Sequence, residues 1–194
     1  MFFRQTIDLG GDTEKVASDI NQFAGSHTAD RLVLTVGKFG VVDIFDANKY
    51  AHDPRGDFLN WLAVDTGAFD YAADAWSYTW GAAAEWYTGP WTLRAGVFDA
   101  PVVPNSTDLD PGFRQFQLVG EVERRYDLLG RPGKIAVTGY LTRARTGSFD
   151  DAIRLAQATG GPADIASTYT SKSGIAANLE HEIVADIGAF LRAG

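Results

Sequence analysis

Glu85, Arg94, Glu121, Glu123 and Arg125 bring carboxylates and guanidiniums into neighbouring segments of the chain, with Tyr87, Phe98 and Tyr140 in the same stretches. A guanidinium presents a fixed fork of donors, a carboxylate accepts hydrogens from hydroxyls, and an aromatic ring offers a flat face. Together they have the chemistry to hold a neutral polar ligand reversibly. A second concentration of polar groups, Asp43, Asp46, Asn48, Lys49, Tyr50, His52, Asp53 and Arg55, lies between apolar stretches. Each of these charges also has a plainer use, as part of a solvated wall or of a loop facing water.

Paired carboxylates also serve acid–base catalysis, but the spacing here is wrong for it. Glu121 and Glu123 stand side by side at i and i+2, whereas glycosidase carboxylates flank the scissile bond from opposing sides, ~5–5.5 Å or ~6.5–9.5 Å apart. No nucleophile elbow, glycine-rich phosphate loop or histidine-centred base accompanies them, so no catalytic residue is assigned. Asp46, Asn48 and His52 lack the glycine and the downstream glutamate of an EF-hand. With no cysteine and only 3 scattered histidines, neither a metal site nor a cofactor is expected. Seventeen basic against 25 acidic residues give a net charge of −8, the opposite of what a phosphate-binding surface needs, which excludes nucleic acid as a partner. No charge-free stretch approaches the roughly 18 apolar residues of a membrane-crossing helix, a limit that does not bear on strands.

The elements that must position these groups are strands. From Ala75 to Tyr87, Trp76, Tyr78, Trp80, Ala82, Ala84 and Trp86 share one parity, and Ser77, Thr79, Gly81, Ala83, Glu85 and Tyr87 the other. Side chains alternate across a strand, so one side is dry and one wet. After a short Thr88-Gly89-Pro90 break, Trp91, Leu93, Ala95 and Val97 oppose Thr92, Arg94, Gly96 and Phe98. Residues 114–126 set Phe116, Leu118, Gly120 and Val122 against Gln115, Gln117, Val119, Glu121, Glu123 and Arg125. Residues 134–142 set Ile135, Val137, Gly139 and Leu141 against Lys134, Ala136, Thr138, Tyr140 and Thr142, and 173–182 repeat the pattern. A last strand begins near Ile187, and weaker strand candidates are Phe2–Leu9, Arg31–Phe39 and Leu59–Asp65. Arg143 is a misfit, because it shares parity with Leu141 on the dry side; near a strand end it can snorkel, or a bulge can shift the register.

Connection lengths alternate from residue 75 onward: short at 88–90, long at 100–113, short at 127–133, long at 146–172, short at 183–186. Membrane barrels keep this rhythm and soluble sandwiches have no reason to. The long connection at 146–172 holds a helical pattern from Phe149 to Ala158 that Gly160-Gly161-Pro162 ends. Trp86, Tyr87 and Trp91 bracket a tight turn while Trp76 and Tyr78 lie at the far end of the same strand, as two interfacial girdles would. The expected fold is therefore all-β, an antiparallel transmembrane β-barrel, and the resemblance that follows implies the outer-membrane porin type. The stretches 10–30 and 40–74 do not fit the rhythm, and their topology stays open.

Several phrases taken in order resemble the carbohydrate-selective porins of the OprB type. They are Val36-Gly37-Lys38-Phe39, Asp43-Ile44-Phe45-Asp46, Tyr50-Ala51-His52-Asp53-Pro54-Arg55, Gly67 to Trp76, Val103-Pro104-Asn105-Ser106, Phe116 to Glu121 and Gly147 to Ala152. The resemblance runs through residues 1–194. It implies a sixteen-stranded barrel of the bacterial outer membrane that admits mono- or oligosaccharides by diffusion, with outer-membrane lipid around it and a homo-oligomer compatible with it. Eight or nine strands make about half of such a barrel, so the chain is expected to be part of a single porin domain, incomplete at both ends. No signal peptide opens it, and Phe190-Leu191-Arg192-Ala193-Gly194 stops inside a strand pattern. An isolated half barrel would carry two unpaired edges, at several kcal/mol for each unsatisfied backbone group in lipid. Under this resemblance Glu85, Arg94, Phe98, Glu121, Glu123, Arg125 and Tyr140 line the pore and meet the sugar. Residues 43–55 either fold inward, presenting Asp53 and Arg55 to it, or remain a loop outside the membrane. The alternative is a soluble β-sandwich carbohydrate-binding module, which recovery in the soluble fraction without detergent would support.

Overall fold

The computed structural model describes residues 1–19, 22–161 and 169–194. Its strands are β1 (Phe2–Val16), β2 (Gly25–Phe39), β3 (Thr79–Thr88), β4 (Trp91–Asp99), β5 (Phe116–Leu128), β6 (Arg131–Arg145), β7 (Tyr169–Val184) and β8 (Ile187–Ala193). All eight pair antiparallel in sequence order within one sheet, which is open, with β1 and β8 at its edges. The described strands form no second sheet, so the sandwich alternative is set aside.

The alternation in the sequence sorts the side chains onto the faces it implies. Trp80, Trp86, Leu93, Leu118, Ile135 and Leu141 are exposed on the outer face, while Glu85, Arg94, Glu121 and Thr138 are buried on the inner one. Register follows from the tight turns: Thr88 opposite Trp91 places Glu85 opposite Arg94, and Arg94 stands opposite Glu121 on β5. No register shift interrupts β5 and β6, so Arg143 keeps the outer parity and is exposed at the strand end.

The tight turns after β3, β5 and β7 lie at one end of the sheet, and the long connections after β2, β4 and β6 at the other. The last of these carries helix α2 (Phe149–Thr159), capped by Ser148 and closed by Gly160 in a left-handed conformation; Pro162, read as part of its stop, lies outside the described residues. The first, residues 40–78, folds back over the inner face. Phe39, Val41, Ile44, Phe45, Phe69 and Ala72 pack there against Ala83, Phe98, Val119, Ala144 and Ala176 to form the core. Close approach is possible because Gly81 and Gly96 lie under the Phe98 ring, where a Cβ at either position would collide with it.

Three expectations are corrected. Leu59–Asp65 is not a strand but contains helix α1 (Trp61–Val64), because the Asn60 side chain accepts from the Leu62 amide and starts a helical turn. The strand expected from residue 75 begins at Thr79. The Asp74 carboxylate draws off the Trp76 and Tyr78 amides, and Ser77 sits at φ 66°, so that stretch bends. Finally, most of 10–30 is strand: β1 continues to Val16 past an irregularity at Gly10, where φ is 144°.

Candidate functional site: a charged wall beneath an infolded segment

The inner face of β3–β6 carries a closed ionic cluster. Arg94 Nη1 donates to Glu121 Oε1 at 2.6 Å and to Glu123 Oε2 at 2.8 Å, and its Nε donates to Glu85 Oε2 at 3.3 Å. Glu85 also accepts from the Tyr87 hydroxyl at 2.8 Å, and Glu121 Oε2 from Thr138 at 2.6 Å. Arg125 bridges Glu123 at 3.1 Å and the Thr92 hydroxyl at 2.6 Å. Lys134, 3.8 Å from Glu123, donates to the Ala47 carbonyl at 2.7 Å. Carboxylates and cations are thus matched inside the wall, as burial of charge requires.

The infolded segment docks on this cluster through Asp46. Its amide donates to Glu121 Oε2 at 2.8 Å. Its fully buried carboxylate accepts from Thr66 N at 2.6 Å, Thr66 Oγ1 at 2.9 Å, Asn178 Nδ2 at 2.9 Å and Arg192 Nε at 3.4 Å. Arg192 further donates to the carbonyls of Asp46, Ala51 and Ala63, and Asn48 to Asn178 Oδ1 at 2.6 Å. Farther along, Gln117 clamps the segment from β5, accepting from the Ala72 amide at 2.9 Å and donating to the Asp70 carbonyl at 2.8 Å. Lys38 and Asp74 close its far end at 2.6 Å. Burial would raise the Asp74 carboxyl, but the bonds from Lys38, Tyr78 and Trp76 outweigh it and hold the group below the usual range.

Of the pore-lining residues expected from the sequence, Glu85, Arg94, Glu121, Glu123 and Arg125 come together in one network. Phe98 is fully buried, with its ring edge-on to Phe39 and Phe45, so its face is not presented to a passing ligand. Tyr140 packs against Phe69 and donates its hydroxyl to the Ala68 carbonyl. Asp53 and Arg55 lie elsewhere, exposed on a turn of the infolded segment. There Asp53 accepts from the Arg55 amide at 2.8 Å, and the Arg55 guanidinium has no ion-pair partner among the described residues. The nearby Asp57 carboxyl is held below the usual range by the backbone amides of Asp53 and His52. Among the described residues no cluster of three or more His, Asp or Glu could hold a metal ion. Asp46, Gln117, Asn178 and Arg192 escaped sequence reading as anchors; Gln117 and Asn178 sit on the wet parity, a signal that was available.

Asp65, at the end of α1, adds a pH response. Burial raises its carboxyl above the ordinary 3.8, with Asp46 pushing the same way and His52, Arg192 and Tyr71 opposing. Burial and the Asp65 charge in turn push the Tyr71 phenol up to about 12. A group whose folded value exceeds its unfolded one contributes stability that is full below the unfolded value and is lost as pH rises through the folded value. The docked segment should therefore gain protection against amide hydrogen exchange at residues 61–66 as pH falls from neutrality toward 4. Asp65→Asn should remove that gain; an unchanged pH profile in the variant would mean that another group carries it.

The family model for the carbohydrate-selective porin, OprB family, matches residues 1–194. Among solved structures the chain is similar to the high pH structure of Pseudomonas putida OprB, with a TM-score of 0.55 and 16% sequence identity, over 79% of this chain and 37% of that one. That likeness concerns the fold, and the chain spans little more than a third of that porin's length. No curated protein matches it. An antiparallel sheet with an apolar outer face, a charged inner face and alternating connections is the wall of an outer-membrane barrel, and with the family model covering every residue, the chain belongs to the OprB family of carbohydrate-selective porins.

Proposed function

We propose that this chain supplies the wall and the internal constriction of an outer-membrane pore through which carbohydrates diffuse. The observation that carries the reading is the fold of residues 40–78 onto the inner face, a segment in which Asp53 and Arg55 stay exposed and which would present them to the pore. A sugar in transit gives up part of its hydration shell, so it needs donors, acceptors and ring-sized apolar surfaces that hold it weakly enough to release it. Arg55 and Asp53 offer the first two. At the mouth, a recess of about 760 Å³ between the segment, the β4–β5 connection and the ends of β5–β7 adds Trp61, Tyr71, Asn105 and Lys172.

Reconstitution in liposomes of a barrel that contains this chain tests this, with swelling compared between D-glucose and an uncharged solute of similar size. Arg55→Ala should lower the relative glucose rate and shift ion preference away from anions, leaving a pore. The effect should stay within roughly fivefold, the ~1 kcal/mol that one water-screened charge contributes at contact. Equal swelling rates for glucose and the other solute with the unaltered barrel, or no change on Arg55→Ala, would overturn the reading.

A further inference from the structure

The outer rim of the sheet carries two arginines that nothing in the wall uses. Arg143 and Arg145 lie at the mouth end of β6 on the outer parity, the side that carries Ile135, Val137 and Leu141 below them. Both are exposed, and neither guanidinium forms an ion pair or hydrogen bond with a described residue; Arg145 is held through its backbone, whose amide donates to Gln115 Oε1 at 2.6 Å. Neighbouring cations are differently placed: Arg114 is held by Asp110 at 3.2 Å and Lys172 by Asp70 at 3.1 Å. What Arg143 and Arg145 do share is Tyr169, their cross-strand neighbour on β7, whose ring centroid lies 5.5 Å from the Arg143 guanidinium and 5.0 Å from that of Arg145.

We propose that Arg143, Arg145 and Tyr169 form a clasp for the phosphate of a phosphorylated glycolipid in the outer leaflet. A ring that takes both guanidiniums on its faces or edges keeps two like charges together and leaves their donors free, an arrangement suited to a multiply charged anion whose oxygens accept in pairs. Ser171 and Ser173 follow Tyr169 on the same exposed row and add hydroxyls. Position selects a lipid over a soluble anion. Leu141 and Ile175 continue the two rows toward the middle of the sheet, giving acyl chains an apolar surface directly beneath the charge. On β5 the outward row from Phe116 to Val122 is bounded at the turn end by Arg124, so about eight residues separate the two basic rims. At ~3.3 Å per residue and ~40° of tilt this is roughly 20 Å, close to the apolar band of a membrane barrel. Long connections mark the outward end of such barrels, which puts the clasp at the outer headgroups.

The test is native mass spectrometry of the full chain in detergent, counting lipid retained after incubation with diphosphorylated lipid A or with the same lipid stripped of phosphate. The phosphorylated form should be retained at least tenfold better. Arg143→Gln with Arg145→Gln should abolish that preference, Arg143→Lys with Arg145→Lys should keep part of it, and Arg124→Gln at the opposite rim should leave it intact. Apart from their ring contacts, Arg143 and Arg145 with Tyr169 and Arg124 with Trp91 at 5.2 Å, these side chains support no internal contact, and far-UV circular dichroism verifies that the variants retain the sheet. Equal retention of the two lipids would reduce the arginines to unspecific snorkelling, and undiminished preference in the double glutamine variant would place the phosphate elsewhere. Competition by inorganic phosphate at the same concentration as the lipid would make this a site for free anions. Each of these three results overturns the proposal.

Discussion

Replacing Arg192 by alanine should free residues 46–66 from the inner face while leaving the sheet intact. The Arg192 side chain is 4% exposed and its partner Asp46 fully buried, so the substitution strands a carboxylate where water does not reach it. Removing one member of a buried pair costs about 3–5 kcal/mol, because the remaining charge keeps its desolvation penalty and loses its compensation. The carbonyls of Ala51 and Ala63 lose their donor at the same stroke. No comparable loss falls on the hydrophobic contacts of Phe45 and Phe69, which hold the two flanks of the segment against Phe98 and Tyr140. Opening should therefore be local. Amide exchange across 46–66 should accelerate by two orders of magnitude or more, as expected for ~3 kcal/mol, while strand amides keep their protection. In a bilayer the same variant should show higher conductance and weaker discrimination between solutes. Unchanged exchange would mean that the apolar flanks alone hold the segment and that the Asp46–Arg192 pair adds nothing to it.

That anchor was hidden from the sequence for a reason of distance. Asp46 meets Arg192 across 146 positions and Asn48 meets Asn178 across 130, and no local spacing announces such a pair. Local alternation was informative where both faces differ in kind, as in Trp80 to Trp86, and failed where they do not. On β1 nearly every side chain is exposed, and Gly10 and Gly11 break the parity, so its second half, residues 10–16, reads as loop. At 59–65 the apolar run is too short to separate strand from helix by period, and the Asn60 cap is the feature that decides. The charged wall was legible by residue type and by face. Its internal pairing was only half so: the two-residue turn at 89–90 fixes Glu85 opposite Arg94, but placing Glu121 opposite Arg94 requires the geometry of the long β4–β5 connection. Nor does parity reveal that a segment from elsewhere covers the wall, which turns groups expected to face a sugar into partners of one another.

Arg94→Ala is expected to cost more than any other single substitution in the wall, and to act on stability before selectivity. Arg94 is 9% exposed, and all the guanidinium bonds described run to Glu85, Glu121 and Glu123, so truncation leaves three buried carboxylates facing one another with only Arg125 and Lys134 nearby. A loss of about 3–5 kcal/mol is the scale for one uncompensated buried charge. Arg94→Lys should recover part of it, because an ammonium restores the charge yet cannot reach three carboxylates with a planar fork. Adding Glu121→Gln to Arg94→Ala should relieve repulsion, so the double variant should be less destabilised than the two single losses summed, a coupling measurable by a double-mutant cycle in denaturant. Glutamine at 121 keeps an acceptor for the Asp46 amide and for Thr138, which separates the charge effect from loss of those hydrogen bonds. The opposite pattern, with stability unchanged within about 0.5 kcal/mol and sugar or ion preference altered, would mean that solutes reach Arg94 in the open pore. In that case the infolded segment would not cover the wall during transport, and Arg94 would act on the solute directly, as its place on the wet parity first suggested.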